Sequence, residues 1–291
     1  MTAHPYTLLD VFTGTPLSGN PLAVVGEADG LDPATMLAFA RETKLSETTF
    51  VQTPTVQGAD YRNRIWDMRA ELPFAGHPSL GTAVAVARAR GDRSVRYVQQ
   101  TPAGLQPVEV EVTGDGLRAH ASMLQEPAEL LHEVDPAVAL AAVGLDAGDG
   151  HPELPVQFVS TGVHQLIVPV RDAEVLSRPV PDWAALQRLL DPEGAIVLYL
   201  AWCDPEAGVA ITRSFTPSPE MGEDPATGSA VGPLAAYLAR RTGCRRIDVR
   251  QGLEMGRPSR LFAEVASDDA GGLIIRVSGD AVVVIDGTVH L

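Results

Sequence analysis

The chain has 291 residues, 45% hydrophobic and 20% charged, the composition of a folded globular protein of one large or two ordinary domains. A formal net charge of −15 repels phosphate backbones and anionic lipid, which disfavours nucleic-acid and membrane-surface roles. No apolar run approaches the ~20 residues of a membrane span and the N-terminus lacks a basic, apolar leader, so a cytoplasmic protein is expected.

In chain order, strands are predicted over residues 6–12 and 22–25, on either side of a stretch rich in Gly, Thr and Pro. Asp32 and Pro33 read as N-cap and first residue of a helix that ends near Lys44. Residues 47–51 and 61–66 read as strands, and a loop over 72–77 leads to a helix from Pro78 to about Arg90, stopped by Gly91. Strands follow over 95–100, 108–113 and 117–123. The periodicity breaks at Glu126-Pro127, which divides the chain into an N-terminal half, 1–126, and a C-terminal half, 127–291. The second half repeats the order: helix 135–143, strands 156–160 and 165–170, helix 182–190, strands 196–201 and 209–215, a loop over 220–224, a helix over 225–240, then strands. Closely spaced turn signals make this an α+β chain with mainly antiparallel sheet rather than a βαβ ladder.

The helices after Pro78 and Pro225 share a pattern of Ala, Gly and Val almost without charge, the mark of a buried helix. Aligning the two prolines matches Gly81 with Gly228, Thr82 with Ser229 and Val84 with Val231, and Arg64 and Arg213 stand upstream of both loops. Two related halves are expected.

Several chemistries fall away. Cys203 and Cys244 are the only cysteines and neither has metal-ligand spacing, so no metal site is expected and two reduced thiols are. Lys44 is the only lysine, and there is no GxxxxGK[ST], HExxH or GxSxG. What stands out is the two helix starts. Their first N–H groups have no intrahelical partner and can receive an anion such as a carboxylate. Gly228 and Ser229 add donors there. On local sequence alone, His77 and Asp224 read somewhat better as plain N-caps, each before a proline. Glu47, opening an apolar strand, is either a solvated strand end or a carboxylate whose pKa burial raises toward neutrality. Glu71, Glu220 and Glu223 pose the same question, and Asn20 between Gly19 and Pro21 is either a turn residue or an amide donor.

Together the motifs resemble a known family. The segments are Asp10-Val11-Phe12-Thr13 with Gly19-Asn20-Pro21, Leu45-Ser46-Glu47-Thr48-Thr49-Phe50, the Gly76-His77-Pro78 block, Asp224-Pro225-Ala226-Thr227-Gly228-Ser229, and Gln251-Gly252 with Gly256-Arg257-Pro258-Ser259. They are similar to the PhzF-like phenazine biosynthesis proteins of the diaminopimelate epimerase-like superfamily. The resemblance implies two similar halves, each a curved, mainly antiparallel sheet wrapped around a central helix, with an active site in the cleft between them. It implies a homodimer without cofactor that isomerises a dihydro-hydroxyanthranilate-like carboxylate by proton transfer. Glu47 matches the acid/base, His77 and Asp224 the groups that hold the substrate and assist, and Gly76, Gly228 and Ser229 the carboxylate-binding positions. Asn20 matches a residue of the opening motif assigned to the pocket. The superfamily's two-cysteine epimerases carry thiols where this chain has Gly76-His77-Pro78 and Asp224-Pro225-Ala226, so a two-thiol mechanism is disfavoured. The run Ile65-Trp66-Asp67-Met68-Arg69-Ala70 departs from the family pattern, which leaves the substrate open. An amino-acid racemase or epimerase, and a non-catalytic small-molecule binder, are the alternatives.

Overall fold

A computed structural model of the chain describes residues 1–269 and 271–291. It divides into two compact units, residues 1–124 with 278–291 and residues 125–277. The last fourteen residues, assigned by chain order to the second half, therefore build the first. The cause is a single long strand, β17 (Leu273–His290), whose residues 281–290 pair with the whole of the chain's first strand.

Unit 1 contains β1 (Ala3–Val11), β2 (Asn20–Val25), α1 (Pro33–Thr43), β3 (Thr48–Gln52), β4 (Tyr61–Trp66), β5 (Glu71–Leu72), α2 (Gly76–Arg90), β6 (Ser94–Thr101), β7 (Gly104–Thr113) and β8 (Arg118–Leu124). Pairings run β17–β1–β2–β3–β4–β6–β7–β8 and return from β8 to β17, so eight strands close into a ring without an edge. The β2–β3 and β4–β6 pairs are parallel, each bridged by a helix (α1 and α2), and the others with a described register are antiparallel.

Helix α2 touches seven of the eight strands of the ring, and its first twelve residues are all buried. This is why it carries Ala, Gly and Val where a surface helix would alternate with charge. Gly81 is dictated by close approach: a Cβ there would stand 2.6 Å from Leu22 Cδ2 and 2.9 Å from methyls of Leu9 and Val11. Helix α1 lies on the other face of the sheet, where Met36 and Ala40 pack with Val25, Phe50 and Trp66. Asp32 caps it, accepting from Thr35 N–H, and Lys44 ends it in the left-handed conformation.

Unit 2 contains β9 (Glu129–Glu133), α3 (Pro136–Ala141), β10 (Gln157–Ser160), β11 (His164–Pro169), α4 (Trp183–Leu190), β12 (Val197–Asp204), β13 (Val209–Phe215), β14 (Glu223–Asp224), α5 (Gly228–Arg241), β15 (Arg246–Gln251) and β16 (Ser259–Ser267). Its wiring copies that of unit 1. The parallel pair β11–β12, antiparallel β12–β13 and β13–β14, parallel β13–β15 and antiparallel β15–β16 repeat β2–β3, β3–β4, β4–β5, β4–β6 and β6–β7. Helix α5 packs on β10, β11, β15 and β16 and is buried along most of its length.

The two central helices do not begin at their prolines. Helix α2 starts at Gly76 with Ala75 as N-cap, and α5 at Gly228 with Thr227 as N-cap, neither with a side-chain cap bond. A proline is tolerated throughout a first turn because no N–H is needed there, so Pro78 sits third and Pro225 lies outside. The helices consequently match Gly76 with Gly228 and His77 with Ser229, not Pro78 with Pro225.

Candidate active site

In unit 1, the turn after β1 delivers Asn20. Phe12 and Leu17 adopt positive φ, and Gly19 follows at φ +65, where a Cβ would lie 2.4 Å from the Val11 carbonyl oxygen. Only glycine fits. Asn20 then enters β2 fully buried, so it is no ordinary turn residue. The Ser46 hydroxyl donates to Asn20 Oδ1 at 3.3 Å, and Asn20 Nδ2 faces His77 Nδ1 at 3.3 Å. An amide nitrogen can only donate, so His77 Nδ1 accepts and the ring proton resides on Nε2. That atom lies 3.4 Å from Glu47 Oε2.

Glu47 directly precedes β3, and its side chain is only 14% exposed. The structure thus rejects the solvated strand end and shows a half-buried carboxylate beside an imidazole. Burial pushes the His77 pKa down to about 3, so at neutral pH the ring is a neutral N–H donor. The sequence reading of His77 as an N-cap is replaced: it is the second residue of α2, next to Gly76 at the helix start. Intrahelical bonding begins at Ser79 N–H to the Ala75 carbonyl, which leaves the Gly76 and His77 amides ahead of it at the positive end of the helix.

In unit 2, Asp224 belongs to β14, paired with Ser214 of β13, and is not a cap of α5. The Thr227 hydroxyl donates to Asp224 Oδ2 at 2.5 Å. Gly228 and Ser229 open α5, and its bonding begins at Ala230 N–H to the Thr227 carbonyl. Within α5, Pro233 supplies no N–H to the Ser229 carbonyl four residues earlier. Gln165 of β11, fully buried, meets that vacancy with Nε2 at 3.5 Å from Ser229 O and 3.4 Å from its Oγ.

Glu71 and Glu223 are each engaged by an arginine. Arg64 grips Glu71 at 2.7 and 2.6 Å, and Arg213 grips Glu223 at 2.8 and 2.7 Å, both bidentate. Each arginine also lies over an aromatic ring, Trp66 or Phe215. Glu71 precedes Gly76, and Glu223 precedes Gly228, by five residues each, so one clamp is installed twice, just upstream of each helix start. Among the described residues no three His, Cys, Asp or Glu side chains gather in a way that could hold a metal ion. Sequence reasoning gave no role to Ser46, Thr227, Gln165 or Gln251. Ser46, Thr227 and Gln251 lie inside motif blocks, which was the available signal; Gln165 has none.

The same fold recurs in solved structures of other proteins. A hydroxyproline epimerase from Agrobacterium vitis has the same fold at 14% identity and TM-score 0.70, over 99% of this chain and 93% of that one. The sequence model of the family described as phenazine biosynthesis-like protein, PhzC-PhzF, matches residues 9–287, and the chain belongs to that family. A PhzF-family phenazine biosynthesis protein from Bacillus anthracis superposes with TM-score 0.88 at 28% identity, covering all of both chains. A trans-2,3-dihydro-3-hydroxyanthranilate isomerase from Pseudomonas aeruginosa is 37% identical over 99% of this chain and 100% of its own length.

Proposed function

We propose that the chain is an isomerase that moves a proton between carbons of a small, carboxylate-bearing substrate of the dihydro-hydroxyanthranilate type. Glu47 takes the proton and returns it. His77 donates through Nε2 and, with Asp224, holds and polarises the substrate, while Asn20 fixes the His77 tautomer. Gly76 at the start of α2, and Gly228 with Ser229 at the start of α5, are donors of the kind that bind a carboxylate. The observation that carries this reading is the half-buried Glu47 carboxylate 3.4 Å from a neutral imidazole. Full-length likeness to a named isomerase supports the reaction and the substrate class. Neither thiol lies at a helix start, and burial holds Cys203 up to about 12, so thiol-based epimerisation has no support in this chain. The family resemblance extends the proposal to a cytoplasmic homodimer, which light scattering tests. No helix among the described residues is long and apolar enough to cross a membrane.

The deciding experiment incubates the protein with trans-2,3-dihydro-3-hydroxyanthranilate in D₂O and follows double-bond migration and label by NMR. Glu47→Gln lowers kcat by about 10²–10⁴, the usual weight of general acid–base help, and leaves ligand binding within a few-fold. Retained turnover removes Glu47 from its role, and deuterium exchange at a stereocentre without migration of the double bond points to epimerisation.

A further inference from the structure

Gln251 opens a motif block to which the reaction gives no task, and its polar atoms are closely surrounded by partners. It is fully buried at the end of β15, as are Tyr199 of β12 and Thr212 of β13. Its Nε2 lies 2.7 Å from the Asp224 carbonyl oxygen, which can only accept, and its Oε1 lies 3.3 Å from the Thr227 N–H, which can only donate. The amide therefore has one possible orientation. Tyr199 OH reinforces it by donating to Oε1 at 2.9 Å, and Thr212 donates to the Tyr199 oxygen at 3.0 Å.

The same Nε2 also lies 2.9 Å from Thr227 Oγ1. Since the amide nitrogen donates, the threonine oxygen accepts, and its own proton points at Asp224 Oδ2. Gln251 thus holds Asp224 twice, by its main chain directly and by its carboxylate through Thr227. We propose that Gln251 and Thr227 are positioning residues that set the rotamer of the Asp224 carboxylate. The proposal rests on Asp224 being part of the site, as read above.

Steady-state kinetics of the full chain test it, with Tm measured on every variant. Thr227→Val, which keeps shape and removes the hydroxyl, lowers kcat tenfold or more with KM within threefold, and Thr227→Ser restores kcat to within threefold. Gln251→Met lowers kcat similarly, and the Gln251→Met/Thr227→Val double variant falls no further than the worse single one, because both act on one carboxylate. If Gln251→Met fails to fold, the three-residue comparison at position 227 decides alone. Asp224→Asn separates the two readings. If it is inactive while Thr227→Val matches the parent, the positioning role is wrong and the site stands. If Asp224→Asn turns over like the parent, the role of Asp224 itself falls, and this inference with it.

Discussion

His77 shows how strongly one buried ring can be defined by its neighbours. Asn20 fixes the tautomer and burial holds the pKa far below that of a solvated imidazole. Unfolding therefore lets the ring take up a proton at any pH below its ordinary value near 6.5. The unfolded state binds more protons there, so stability drops as pH falls from about 6.5 toward 3, by at most about 1.4 kcal/mol per pH unit from this group. Urea titrations across that range are expected to give a shallower pH slope for His77→Gln than for the parent. Residue identity was readable from the motif blocks; the environment was not. Glu47 opens a strand on either reading, and only the fold decides whether its carboxylate meets water or His77. Asp224 passed for an N-cap because Asp before Pro is a good cap sequence, whereas its place in β14 depends on pairing with Ser214, ten residues upstream.

Among the elements, the two central helices were the most legible, since an unbroken run of small apolar residues has no other stable place than a core. Their starts were misread by two or three residues because proline marks a first turn without specifying which position in it. The packing around α2 makes two measurable demands. Gly81→Ala gains helix propensity of up to about 1 kcal/mol, but its methyl must displace three core side chains at once. A net loss of about 1–3 kcal/mol is expected from denaturant midpoints. Thr49 and Thr82, both fully buried, share a 2.8 Å hydrogen bond across the β3–α2 packing. Thr49→Val takes from the Thr82 hydroxyl this partner and costs about 1–3 kcal/mol, Thr82→Val costs less because the Thr49 hydroxyl keeps the Ala23 carbonyl at 3.4 Å, and the double replacement costs less than the sum of the two.

At the scale of the whole molecule, the repeat was visible in the sequence as two alike helices, but its depth was not. The shared strand wiring and the twin Arg–Glu clamps are tertiary facts, and the helix registers differ from a proline-to-proline alignment because α5 begins three residues after Pro225. Assigning residues 278–291 to unit 1 was also beyond local pattern, since strand periodicity does not name a partner nearly three hundred residues away. Removing those residues deprives both β1 and β8 of a neighbour, and a chain ending at Val277 is expected to lose cooperative unfolding of unit 1 and to aggregate through the exposed edges. The same strand sets a timetable. During synthesis residues 1–124 emerge as an open ribbon that cannot shut around α2, and the ring must wait until residues 278–291 have been translated.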